Sequence, residues 1–419
     1  MWDLLYSIDC MDYKAGNLST NIDVLIIGGG PAGASAAILL ARAGWSVTVI
    51  EKKIFPRSKV CGEFLSATSA PLLQELGVLD FYTTHAGPPV RQVGWYAANK
   101  VLTTDMPVAN NAVGQWGRAL GRDQLDTALL DEARRHGAHV WQPWNAESLT
   151  DHATHFTCQI KNKDQTASIS ARLVIMAHGS WERPLIKTVD KPHHPADLLA
   201  FKAHFNGSQL APNLMVLLTF PGGYGGLVHS DQNRVTLSCC IRRDRLQKIR
   251  ARQPGLAAGD AVLNHIISSC AGAAAALTPA TRDDQWLSVG PIRPGIRTCY
   301  AKGIFYVGNM AGEAHPIIAE GISMAMQSAW LLAESLLAQP SMQRSELDKI
   351  GQLYTKRWHA QFANRIRLAA FLARVTTRPA VMKLLLPLVA RFPWLLRYGA
   401  ALSGKIKEVI QVPAASQTK

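Results

Sequence analysis

The sequence predicts an α/β protein in which a dinucleotide-binding domain on a central parallel sheet accepts an inserted antiparallel-sheet domain and ends in a helical C-terminal tail. Three observations lead there. Residues 21–51 read as strand, glycine-rich turn, helix, strand and terminal acid. Arg172–Met176 and Gly303–Val307 are further apolar, core-type strands. Between them, residues 197–242 alternate apolar and polar in the period of a sheet with one covered face. Antiparallel strands interrupting buried α/β strands imply one domain inserted into another.

The first unit has a mechanical reading residue by residue. Asp23–Ile27 is a short apolar, β-branched run, as a buried parallel strand requires. Gly28, Gly30 and Gly33 fit the G-x-G-x-x-G spacing. The first lets the chain turn sharply, the second admits a pyrophosphate against bare backbone, and the third lets the next helix pack on the strand. Ala34–Ala43 forms helix readily, and its N-terminus aims free N–H groups and a partial positive charge at phosphates. Gly44 ends that helix, Ser46–Ile50 is the second strand, and Glu51 at its end can accept hydrogen bonds from ribose hydroxyls. With all parts in register, an adenine dinucleotide is expected here.

Further along, residues 52–66 read as a loop leading to a helix near Ala67–Leu76, and 88–113 as short strands. Gly121–Arg135 is an amphipathic helix with Leu125, Leu129 and Ala133 on one face. Trp141–Gln165 reads as irregular strands, and Phe220-Pro-Gly-Gly-Tyr-Gly-Gly as a turn within the antiparallel sheet. Residues 255–278 are an Ala-rich helix, and Ile322–Ala338 a long helix with Ile322, Met326, Ala329, Ala333 and Leu336 at helical spacing. The expected division is a loose extension over 1–20, a dinucleotide-binding domain over 21–85, 115–190 and 285–340, a substrate domain over 86–114 and 191–284, and a basic helical region over 341–419.

Composition narrows the class. The 419 residues are 48% hydrophobic and 18% charged, a globular balance. The seven cysteines are scattered with no C-x-x-C pair or Cys/His cluster, so neither a metal site nor a disulfide framework is expected, and a cytoplasmic setting fits best. The first 20 residues do not resemble a secretory signal, and no run of about 18 uncharged apolar residues suggests a membrane span. Net charge is +14, yet residues 356–419 hold twelve Lys or Arg and one acid, so this tail carries +11 of it. A basic tail on a near-neutral body without a recognised nucleic-acid motif argues against a nucleic-acid partner.

Three more segments carry a resemblance. Gly121-Arg122-Asp123-Gln124-Leu125-Asp126 resembles the R-x-x-L/F-D helix start of FAD-dependent hydroxylases and their relatives. Ala177-His178-Gly179-Ser180 stands where that superfamily has A-D-G-S. Val307-Gly308-Asn309-Met310-Ala311-Gly312, then Pro316, then Glu320-Gly321-Ile322, resembles the second FAD motif, G-D-A-A-G followed by P-x-x-G-E-G-I. Aromatic hydroxylases usually place histidine at the position of Gly312, whereas geranylgeranyl-reductase-like flavoproteins place glycine, and Lys59-Val60-Cys61-Gly62 is similar to their K-P-C-G segment. Flavin-dependent halogenases share the following Gly-Glu. Their W-x-W-x-I-P signature is absent, and no lysine falls between Val60 and Asn99, so halogenation is disfavoured.

The resemblance implies a Rossmann-like FAD-binding domain with a central parallel sheet and a three-stranded antiparallel crossover. FAD would be held by Gly28, Gly30, Pro31, Ala32, Gly33, Glu51, Lys52, Cys61, Gly62, Arg122, Gly308, Asn309, Gly312, Pro316, Gly321 and Ile322, with Cys61 and His315 as the catalytic candidates. NAD(P)H is the implied electron donor, although His178 replaces the Asp linked with nicotinamide handling, and Asn309 replaces the Asp that binds the ribityl chain. The implied reaction is reduction or formation of a C=C bond in a lipophilic substrate that is free, membrane-dissolved or carrier-bound. Monooxygenation of an aromatic or unsaturated substrate stays open, as does electron transfer at a membrane. Tyr224 reads equally as a cavity residue or a hairpin aromatic, and Cys239-Cys240 as strand filling. In the tail, apolar-plus-basic runs cut by Pro387 and Pro393 into short helices read as a helical cap on the substrate domain or as a surface for anionic lipid or an acidic carrier protein; the lipid reading would place the protein peripherally on the inner face of the membrane.

Overall fold

The computed structural model describes residues 21–109, 113–179, 185, 192–283, 285–339 and 343–401; the expected extension 1–20, Ser180 and the end of the tail lie outside them. Asn21–Ile27 sits centrally in an eight-stranded sheet, between Thr166–Met176 and Val47–Ile50 and parallel to both. Ile304–Tyr306 and His139–Trp141 extend the parallel core on either side. Residues 24–27 and 173–176 are uninterrupted apolar, buried runs because both faces of the sheet are covered there. Asn145–Asp151 pairs antiparallel with Phe156–Lys161, which pairs antiparallel with the first half of Thr166–Met176, forming the expected crossover.

The second sheet also has eight strands, among them Leu198–Asn206, Val235–Arg242, Gly223–His229, Leu214–Phe220 and Gln92–Ala97. It is antiparallel except that Leu214–Phe220 runs parallel to Gln92–Ala97, two strands from separate passes of the chain. The hairpin turn is confined to Pro221-Gly222, and the glycines after it belong to the strand. The Ala-rich helix breaks into Ala258–Ser269 and Ala271–Leu277 at Cys270, whose extended backbone bridges to Ala98.

Pro31–Arg42 packs between Gly321–Leu337 and Arg122–Arg135 over the first sheet. Leu125, Leu129 and Ala133 are fully buried there, as the spacing implied. The C-terminal region departs from the expected short helices. Arg344–Thr376 is one helix of 33 residues. Its Leu347, Ile350, Tyr354, Trp358, Phe362 and Ile366, three or four apart, complete the core of the first domain. Pro387 does not end a helix but lies inside Pro379–Arg391. It is exposed there, so water can satisfy the carbonyl its missing N–H leaves free. Pro393 does separate that helix from Trp394–Ala400.

Candidate active site

The first and second motifs meet at the C-terminal edge of the parallel sheet. Gly28 has φ +110°, and a Cβ on it would lie 2.7 Å from the His178 nitrogen. A Cβ on Gly33 would lie 1.9 Å from the Gly28 carbonyl oxygen, so only glycine lets this helix sit so close to the turn. Gly308, also at positive φ, faces Ala32, whose Cβ would be 2.9 Å from an added one. Gly30 caps Pro31–Arg42 with no side-chain bond, leaving first-turn N–H groups for an anion.

Glu51 is buried at the end of its strand. Its Oε2 accepts the Gly29 N–H at 2.9 Å and its Oε1 the Lys53 N–H at 3.0 Å, so the carboxylate is fixed beside the turn, with half-buried Lys52 next in the chain. Across the turn stand two arginines that the motif spacing did not combine. Arg122 Nε and Nη2 each donate to Asp126 at 2.7 Å, and Arg57 Nη1 donates to the same carboxylate at 3.0 Å. Burial works against the Arg122 charge, but Asp126 and the neighbouring Cys61 more than offset it and hold its pKa above the ordinary value. Both guanidinium groups are the nearest neighbours of open space beside Gly30. Asp126 was visible in the R-x-x-L-D segment; Arg57 had no such marker.

Gly62 and Gly321 each face open space, with no atom within 4 Å of an added Cβ. Gly321 opens a 17-residue helix that has no side-chain cap, so its positive end is free to face a flat ligand. Pro316 is exposed, Ile322 serves the core, and Asn309 lines a small cavity with Gly308, Gly321 and Phe362. The second-motif loop is held by Arg297, which donates to the Asn309 carbonyl at 2.7 Å and to Glu313 at 3.2 Å. These glycine-lined openings, the free helix end and the fixed acid fit FAD. Gly312 differs, because the space beside its Cα is filled by the Trp358 indole.

Cys61 is half-buried, and its sulfur accepts the Glu63 N–H at 3.3 Å. Glu63 is fully buried at φ +64° and paired with buried Lys202. It also accepts from Thr236 at 2.6 Å and lies 2.9 Å from His204 Nε2. Burial raises the Glu63 pKa, but His204 and Lys202 outweigh it and hold the group well below the usual carboxylate range. This network ties the Cys61 loop to the second sheet and had no local sequence signal. His315 lies 3.4 Å through Nδ1 from the Tyr224 hydroxyl. Burial, helped by Arg374, lowers the His315 pKa to about 4, so it is neutral at pH 7. Tyr224 is buried, and burial raises its phenol well above the ordinary value. Cys239 and Cys240 are buried strand residues, while His193 and His194 are exposed. Val60 and Ile317 pack against one apolar cluster with Tyr224, so the Cys61 and His315 segments converge on the same packed side chains.

A crossover-bearing parallel sheet, two glycine motifs meeting at its edge and an apolar second sheet beyond them define an FAD-dependent oxidoreductase of the aromatic-hydroxylase-like superfamily. The chain belongs to the FAD binding domain family, which matches residues 21–348. It is 26% identical over 392 residues to conditioned medium factor receptor 1 of Dictyostelium discoideum, covering 87% of this chain and 72% of that one. It is 24% identical over 367 residues to digeranylgeranylglycerophospholipid reductase 1 of Methanopyrus kandleri, covering 82% of this chain and 87% of that one. The fold is similar to that of the myxobacterial chondrochloren halogenase CndH, with a TM-score of 0.71, 18% identity, and coverage of 86% and 84%. Among the described residues, no helix is long and apolar enough to cross a membrane.

Proposed function

We propose that the enzyme reduces a carbon–carbon double bond in a lipophilic substrate, drawing electrons from NAD(P)H. Bound FAD supplies the hydride chemistry. The observation that carries the reading is the apolar cluster of Leu198, Ala200, Tyr224 and Ile292, reached by Val60 from the Cys61 loop and by Ile317 from the His315 loop. Apolar side chains gathered where these two loops meet suit a hydrocarbon substrate. Neutral His315 is a poor proton donor at pH 7, so the proton is assigned to the partly exposed Cys61 thiol or to water, with His315 and Tyr224 orienting groups beside it. Likeness to a digeranylgeranylglycerophospholipid reductase supports a polyprenyl-type substrate.

The test is product mass after turnover with an unsaturated lipid, in air and without it. A gain of two hydrogens under both conditions supports reduction. A gain of one oxygen, only in air, replaces it with monooxygenation. Fast electron delivery to quinone without change in the lipid replaces it with electron transfer. Anaerobic bleaching of the flavin by NADH or NADPH checks the donor.

A further inference from the structure

We propose that the C-terminal helices form a docking surface for an anionic lipid bilayer. The inference does not rest on the reaction assigned above. Three successive helices present the same pairing of large apolar and cationic side chains to solvent. On the last turns of Arg344–Thr376, Phe371 is 62% exposed and Arg374, three residues on, is exposed on the same face, and Arg378 is exposed at the junction with the next helix. On Pro379–Arg391 and its C-cap, Leu384, Leu388 and Phe392 recur every four residues as an outward stripe, with Leu384 78% exposed, and Arg391 is exposed next to Phe392. On Trp394–Ala400, Trp394 and Tyr398 are exposed one turn apart with Arg397 between them.

An amphipathic helix that merely caps a domain turns its apolar stripe inward. Here Pro379–Arg391 turns Leu384 and Leu388 outward, so the stripe is left for something beyond the domain. The ring of arginines sets its charge. Residues 356–419 contain one acid against twelve basic residues, which complements phosphate headgroups and leaves few carboxylates to repel them. Interfacial Trp and Tyr, guanidinium groups at headgroup depth and leucines below them are the arrangement of a helix lying in the membrane plane. The position is also suited to traffic: the inner side of the same helix end, at Ala373, packs on the cluster that holds Tyr224.

The test is co-sedimentation of the full chain, loaded with FAD, with vesicles of phosphatidylcholine alone or mixed with phosphatidylglycerol. Binding is expected only to the anionic vesicles and is expected to weaken about tenfold as salt rises from about 0.1 M to about 0.5 M. Arg378→Glu with Arg391→Glu should abolish it, and Leu384→Ser with Trp394→Ser should weaken it at least about tenfold, both with an unchanged flavin spectrum. Equal binding to neutral vesicles, or no binding, overturns the proposal. So does a concentration-dependent dimer that the Leu384→Ser variant dissolves, which would make the occupant a second copy. Retention on immobilised polyglutamate without vesicle binding would favour an acidic protein and overturns it as well.

Discussion

Gly312 and Trp358 occupy one space: a Cβ built on Gly312 would lie 2.4 Å from Trp358 Cη2. The indole is buried and cannot swing aside, so the choice of glycine in the second FAD motif is coupled to a helix that begins beyond that motif. Gly312→Ala should cost about 1–3 kcal/mol through overpacking, and Gly312→His more. Trp358→Ala alone should cost about 3–5 kcal/mol by leaving a cavity. The Gly312→His/Trp358→Ala double variant should be more stable than the sum of the two predicts, since each removes the other's conflict. Urea midpoints of the four proteins check this; strict additivity would show that the contact does not govern the position.

Lys202 and Glu63 form a buried ion pair joining the second sheet to the Cys61 loop. Glu63→Gln leaves the Lys202 charge uncompensated and should destabilise the fold by about 3–5 kcal/mol, whereas Glu63→Leu with Lys202→Met should cost far less. The pH dependence has a definite sign. The folded-state pKa of Glu63 lies below its ordinary value of 4.5. Its stabilisation is therefore complete above about pH 4.5 and is lost as pH falls further toward the folded value. The wild-type unfolding midpoint should drop on acidification below that point, and the Glu63→Gln variant should drop less steeply.

How legible these features were depended on whether their partners are close in sequence. Gly33, against the Gly28 carbonyl, and Glu51, against the Gly29 N–H, work within one strand–helix–strand unit, so spacing alone announced the tight packing and the acid. The Glu63 network could not be announced that way, because Lys202, His204 and Thr236 are between 139 and 173 residues away. Lys202 sits in a strand whose charged side chain would be expected to face water, and is instead 1% exposed. Gly312 stood out as a departure from the hydroxylase pattern, but its cause, Trp358, lies in a segment read for charge and prolines. Pro387 misled because helix breaking depends on whether the freed carbonyl is buried.

The Glu51 carboxylate should govern cofactor retention more than fold stability. It already accepts the Gly29 N–H at 2.9 Å, which stiffens the turn, and it stands where the ribose hydroxyls would bond. Charge-assisted bonds of this kind contribute about 1.5–3 kcal/mol each. Glu51→Ala should weaken FAD binding by about tenfold to a hundredfold at least, and Glu51→Gln by less. Titration of the apoprotein with FAD, followed by quenching of flavin fluorescence, measures it. Unchanged affinity in Glu51→Ala would remove Glu51 from the site.

His315 should mark itself by a titration that occurs in the unfolded chain and not in the native one. Its native pKa is lowered from 6.5 to about 4 by burial and by Arg374. Between these values the unfolded chain takes up a proton that the native protein refuses, so stability falls as pH decreases from about 6.5 toward about 4. One proton contributes a slope of up to about 1.4 kcal/mol per pH unit. His315→Asn should flatten that part of the stability profile while leaving the loss below pH 4.5, which belongs to Glu63, in place. Urea unfolding of both proteins across this interval separates the two groups. If His315 instead donates a proton as a cation, the rate profile of the wild type should rise on acidification toward its native pKa of about 4; a neutral, orienting imidazole predicts no such rise and only a modest rate loss in His315→Asn, because the Tyr224 hydroxyl at 3.4 Å would lose one partner and not a proton source.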